Sequence, residues 1–294
     1  MKTHGLQKKL VLALASVVLG VGCAGEDGSF GEGEGEDIET VTSPVTVYPS
    51  SLAGNKQYGA MWTWKTHGAN VVPLGNANTT SCFLSSVWGS LKGTDTVGIS
   101  KVDGYWVLGG TGSQSSPAAD AFCILDAPTG PTVSVTATNT KKMIPGASAS
   151  AHTCFITRIR GDFASSSKLV SVEQVGTGWS LKAEGGVEAT AACTLRPPLP
   201  IEAVWSGTGA ITLYGDLSDP NNNKAINTTT NRKYFCSLTR IEGILNNLDG
   251  WVGTFNEPAP TGGWQWYLGG KKNALNLGFT TKTYPLAGSA RCVQ

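Results

Sequence analysis

Residues 154–163 read CFITRIRGDF, residues 165–183 SSSKLVSVEQVGTGWSLKA and residues 187–195 VEATAACTL. The same succession occurs twice more. Upstream it is CFLSSVWGSL (82–91), DGYWVLGG (103–110) and ADAFC (119–123). Downstream it is CSLTRIEGIL (236–245), GGWQWYLGG (262–270) and GSARC (288–292). The shared skeleton is a Cys strand with a Gly seven residues on, then Trp-x-Leu, then Ala-x-Cys. Three copies at matched order are an internal repeat, and each copy is one supersecondary unit.

The repeat decides the cysteine chemistry. Seven Cys are present, and six of them belong to the copies. Six cysteines allow fifteen pairings. Matched positions select one bridge per copy: Cys82–Cys123, Cys154–Cys193 and Cys236–Cys292. Such bridges belong to an oxidising compartment. Closing each loop restricts the unfolded chain by roughly 3–4 kcal/mol in the chain-entropy picture.

The copies read as β structure. Met61 and Thr63 alternate with Trp62 and Trp64, and Thr96–Val102, TVSVTAT (132–138), Lys168–Val175, WSLKA (179–183) and VEATAAC (187–193) alternate likewise. That is the pattern of sheets with one dry and one wet side. Asp103-Gly104 signals a tight hairpin. No segment keeps a 3.6-residue apolar period long enough for a helix. The expectation is an all-β fold of three tandem disulfide-stapled modules packed together, at 48–127, 128–197 and 198–294. The alternative is one pseudo-threefold domain of prism or trefoil type. The prolines at 128 and 131, and at 197, 198 and 200, mark the joints. The third module is the longest, with extra sequence expected at 216–230 and 251–263.

The N-terminus has the form of an export signal: Lys2, Lys8 and Lys9, then an apolar run from Leu10 to Gly22 broken only by Ser16. The run is short for a bilayer span and suits a signal h-region, giving a signal peptide over 1–22. It ends Leu19-Gly20-Val21-Gly22-Cys23. This stretch resembles the lipobox of bacterial lipoproteins. The resemblance implies lipid modification of Cys23 and, with Ala24 following, delivery to the outer membrane. Ordinary cleavage at the small-x-small sites Gly20-Val21-Gly22 or Gly22-Cys23-Ala24 would instead release a soluble secreted chain. Residues 23–47 then form an acidic tether, with seven acids and no base between Glu26 and Glu39. Too few apolar side chains lie there to fold.

Without signal and tether acids, nineteen bases face fourteen acids, a net charge of +5 for residues 40–294. No clustered basic stripe for nucleic acid is present. The motifs of nucleophilic hydrolases, zinc proteases and phosphate loops are absent from the sequence. Glycoside hydrolysis needs paired carboxylates, and no acid recurs in all three copies. The reading is therefore not an enzyme and needs no cofactor. Asp216, Asp219 and Asn221 have calcium-ligand chemistry, but Asp, Pro and Asn favour turns for backbone reasons. Arg160-Gly161-Asp162 spells an integrin tripeptide whose Gly belongs to the repeat.

Nine Trp remain to be explained. Trp106, Trp179 and Trp266 hold the repeat position beside a Leu and are expected in the core. The others include candidate platforms for a sugar ring: Trp251, Trp264, Trp62 and Trp64, with Asn246, Asn247 and Asn256 as hydrogen-bonding neighbours. The functional expectation is a surface-anchored, non-catalytic lipoprotein, on the membrane through its lipid, binding carbohydrate or another surface polymer in adhesion. The alternatives are a structural envelope or appendage protein contacting other proteins, and a secreted hydrolase.

Overall fold

The computed structural model describes residues 61–65, 71–112, 117–125, 128–199, 202–206, 223–226, 234–258, 264–271, 274–276, 281–283 and 285–293. All of them fall in one compact unit. Every regular element among them is a strand, as expected.

The first repeat contributes β1 (Met61–Lys65), β2 (Val72–Asn76), β3 (Thr80–Ser90), β4 (Thr96–Val102), β5 (Tyr105–Thr111) and β6 (Ala118–Leu125). The second contributes β7 (Thr129–Val135), β8 (Lys141–Ser148), β9 (Thr153–Arg160), β10 (Leu169–Val175), β11 (Gly178–Glu184) and β12 (Glu188–Thr194). The third contributes β13 (Glu202–Ser206), β14 (Asn223–Ala225), β15 (Phe235–Gly243), β16 (Asn246–Pro258) and β17 (Trp264–Lys271). It continues with a small ribbon of β18 (Ala274–Asn276) and β19 (Thr281–Thr283), and ends with β20 (Leu286–Val293).

The repeats exchange strands. The first sheet runs β1-β6-β3-β16-β17-β14, the second β2-β5-β4-β9-β12-β7 and the third β13-β20-β15-β10-β11-β8. Each sheet therefore takes three strands from one repeat and three from another, in cyclic order. The three sheets stay open rather than closing into a barrel. This is the pseudo-threefold arrangement, built from three units that each keep their own bridge.

Local chemistry recurs at each corner. Cys82 stands opposite Cys123, Cys154 opposite Cys193 and Cys236 opposite Cys292 on neighbouring antiparallel strands. All three disulfides are formed, with Cα–Cα distances of 4.0, 3.9 and 4.0 Å. Three residues beyond the first Cys of each pair, the register slips around Ser85, Thr157 and Thr239. Each slip is a β-bulge, which bends the strand. The repeat glycines Gly89, Gly161 and Gly243 follow at φ of 80°, 125° and 109°. A Cβ on Gly243 would sit 2.1 Å from the Pro285 carbonyl oxygen. Gly161 of the Arg-Gly-Asp tripeptide is thus explained by the backbone, and Arg160 is paired with Glu188 at 3.2 Å. Asp103 and Gly104, at φ of 49° and 84°, make the tight hairpin turn that the sequence signals.

Trp106, Trp179 and Trp266 donate their indole N–H to the carbonyls of Thr80, His152 and Tyr234, at 2.7, 3.0 and 2.7 Å. Each acceptor lies two residues before the first Cys of its own repeat. Each bond therefore ties together two strand groups of one repeat that lie in different sheets. Trp179 and Trp266 are buried and Trp106 is partly buried against the core. Where the sheets meet, the rings of Phe83, Phe155 and Phe235 pack at centroid distances of 4.8, 5.9 and 5.7 Å. The third Phe precedes its Cys whereas the other two follow theirs. Ser237 occupies the vacated position and donates to the Leu84 carbonyl at 2.5 Å.

Candidate functional site

The seams between repeats present three comparable outer surfaces. At the seam of the first sheet, Trp251 pairs with Trp88, Val252 with Val87 and Gly253 with Ser86. In the second sheet the corresponding pairs are Thr96–Arg160, Val97–Ile159 and Gly98–Arg158. In the third they are Leu169–Glu242, Val170–Ile241 and Ser171–Arg240. Val87, Val97, Val170 and Val252 are buried toward the core. Strand alternation places their neighbours on the opposite side.

On that outer side the first sheet carries a cluster of rings. Trp88, Trp251, Phe255 and Tyr267 are all half-buried. The Trp251 and Phe255 rings meet edge-on at 6.1 Å across Gly253, and Phe255 stacks on its cross-strand partner Tyr267 at 5.6 Å. Gly253 lies between Trp251 and Phe255 on β16. It lets the strands approach, since a Cβ there would lie 2.3 Å from Ser86 Cβ. Beneath the rings run two hydrogen bonds of 2.5 Å: the Trp88 indole N–H donates to Ser86 Oγ, and the Ser86 hydroxyl donates to Asp120 Oδ2. Asp120 is buried on β6 opposite Ser86.

The matching positions elsewhere hold no such cluster. Phe255 and Tyr267 correspond to Ser100 and Val107 in the second sheet and to Glu173 and Ser180 in the third. Those sheets carry ion pairs instead. Arg160–Glu188 lies on the second; Lys182–Glu184, Arg240–Glu242 and Arg291–Glu202 lie on the third. Among the described residues the first sheet has none. One aromatic face and two charged faces share a single architecture.

The residues singled out from sequence distribute as follows. Trp251 lies in the aromatic cluster. It is not part of an extra segment, because Trp251–Gly253 corresponds to Thr96–Gly98 in the repeat. Asn256 pairs with the core-facing Trp266, away from the cluster, and its Oδ1 is buried without a protein partner. Trp264 stands opposite Pro258 toward the far end of the β16–β17 hairpin. Asn246 stands opposite Ser90, and Asn247 follows it on β16. Trp62 and Trp64 are in register with Ala121 and Ala119 on β1. Cys23, Asp216, Asp219 and Asn221 lie outside the described residues. No group of metal-ligating side chains occurs among the described ones.

Sequence reasoning passes over Phe255 and Tyr267, leaves Trp88 among the tryptophans outside the repeat position, and reads Asp120 as a turn or surface acid, whereas it is buried on β6. The signal that finds them is the difference between copies at outward positions, not the residues that the copies share. No family model, no curated protein and no solved structure matches this chain.

Proposed function

We propose that the chain is an exported lipoprotein, held to the outer membrane through Cys23 and set off from it by the acidic tether. On this reading its folded part binds a glycan or comparable surface polymer in adhesion, without chemical turnover. One observation carries the reading: of three equivalent outer faces, a single one bears Trp88, Trp251, Phe255 and Tyr267. Aromatic rings offer an apolar face to the C–H face of a pyranose, and such contact area is gained at low entropic cost. Four large rings at half-exposed positions have no role in the core, where Trp106, Trp179 and Trp266 already serve.

A contact surface for another envelope protein is the second reading. It is favoured by the packing of the rings against one another, since clustered aromatic anchors also mark protein interfaces. A hydrolase draws the least support: glycoside hydrolysis needs two acids across a cleft, and among the described residues the acid placed under the face is Asp120.

Residues 40–294 displayed to a glycan array, beside a Trp251→Ala variant, test the proposal. Binding that the variant loses supports it. An array silent to the wild-type chain, with an envelope protein co-purifying, favours the second reading. Incorporation of labelled palmitate that disappears in Cys23→Ser tests the anchor separately.

A further inference from the structure

We infer that Asp120 is a positioning residue for the aromatic face: acting through Ser86, it fixes the indole of Trp88 as part of a preformed binding platform. The inference rests on the binding role proposed above, and its geometry is independent of which polymer is bound.

A carboxylate accepts hydrogen bonds and donates none. With Asp120 Oδ2 at 2.5 Å, the Ser86 hydroxyl must spend its proton on the acid. Its oxygen is then left to accept the Trp88 indole N–H, also at 2.5 Å. The direction of the relay is fixed from Trp88 to Ser86 to Asp120. Without the acid, the Ser86 side chain loses the contact that holds its rotamer, and the acceptor of the indole N–H is free to move. Trp88 stands beside Trp251 across the seam.

Asp120 corresponds to Thr190 in the second sheet and Ser289 in the third, opposite Arg158 and Arg240. Neither of those positions needs an acid to hold the fold. A buried carboxylate carries a desolvation cost unless it is hydrogen-bonded. Of the three matching positions, only the one under the rings carries an acid. A platform ordered before its ligand arrives loses less entropy on binding.

The test uses the folded chain and a panel of dextran, mannan, xylan and chitotriose. Binding is followed by calorimetry and ring order by near-ultraviolet circular dichroism and acrylamide quenching. The quenching is referred to Trp88→Phe. Asp120→Ala and Ser86→Ala are each expected to weaken binding about three- to tenfold, the cost of re-ordering one large side chain. Both should raise quenching of Trp88. Asp120→Asn keeps an acceptor oxygen and should stay within about twofold of wild type. Ser289→Ala, at the matching place in the third sheet, should change neither readout. Unchanged binding and unchanged Trp88 signals in Asp120→Ala would overturn the inference, as would a loss that Asp120→Asn does not restore. If wild type binds none of the panel, the binding role fails on that panel while the quenching series still decides the relay.

Discussion

The outer face of the first sheet and the outer face of the second occupy equivalent places and differ in almost every outward side chain. At matching seam positions one has Trp251 beside Trp88, the other Thr96 beside Arg160. Inward, both have a pair of buried aliphatic residues, Val252 with Val87 and Val97 with Ile159. Packing has kept the inner face alike in all three copies because each must fill the same core. The outer face is under no such constraint. Where it departs toward large apolar rings, the part of them left wet forms an apolar patch of the kind that marks contact surfaces.

The largest expected effect separates core tryptophan from face tryptophan. Trp179→Ala should cost about 3–5 kcal/mol, because the side chain is fully buried and its N–H holds the His152 carbonyl. Trp251→Ala should cost only about 1–2 kcal/mol, since part of its surface is already wet. Denaturant unfolding of both variants measures the gap; equal losses would mean that the face is ordinary core.

A smaller effect comes from the seam. Gly253→Ala should cost about 1–3 kcal/mol, because the new methyl meets Ser86 and forces β16 from β3. Ser171, the matching residue of the third sheet, already has a Cβ, and Ser171→Ala should cost about 1 kcal/mol at most, for the hydroxyl's bond to Glu173 at 2.8 Å. Thermal unfolding of the two variants checks this. A neutral Gly253→Ala would remove the close approach from the account.

Much of this was legible in the chain. Three Cys pairs at matched positions in the copies named the bridges, and period-2 alternation named the strands. The Trp-x-Leu positions named the core indoles, because those features repeat and repetition is visible. The strand exchange was not legible. It rests on three-residue pairings such as Thr96–Gly98 with Arg158–Arg160, and nothing in either segment says whether its partner lies in its own copy or the next. The aromatic face escaped for the opposite reason. Trp88 lies beside the repeat glycine Gly89, outside the Trp-x-Leu position, and nothing in its own copy sets it apart. Phe255 and Tyr267 join Trp251 only once β16 and β17 are aligned. Asn256, chosen for nearness in sequence, falls on the other side of its strand, one residue from Phe255.

The smallest effects concern the charged faces. A double-mutant cycle on Arg160 and Glu188 should give a coupling below about 1 kcal/mol, since both side chains are well exposed. Polymer binding should be untouched in all four proteins of that cycle. A coupling well above this would make the second face a structural clamp. Chelation should leave polymer binding unchanged; binding lost to chelator and restored by calcium would bring Asp216, Asp219 and Asn221 into the site.

The most direct measurement compares equivalent positions on two faces. Binding isotherms on an immobilised polysaccharide panel would be recorded for wild type, Trp251→Ala and Arg160→Ala, with unfolding curves confirming that each is folded. Trp251→Ala should lose at least about tenfold in affinity, as for an aromatic anchor, and Arg160→Ala should bind like wild type. Equal affinity in all three proteins, or equal loss in both variants, would contradict a binding role for the aromatic face.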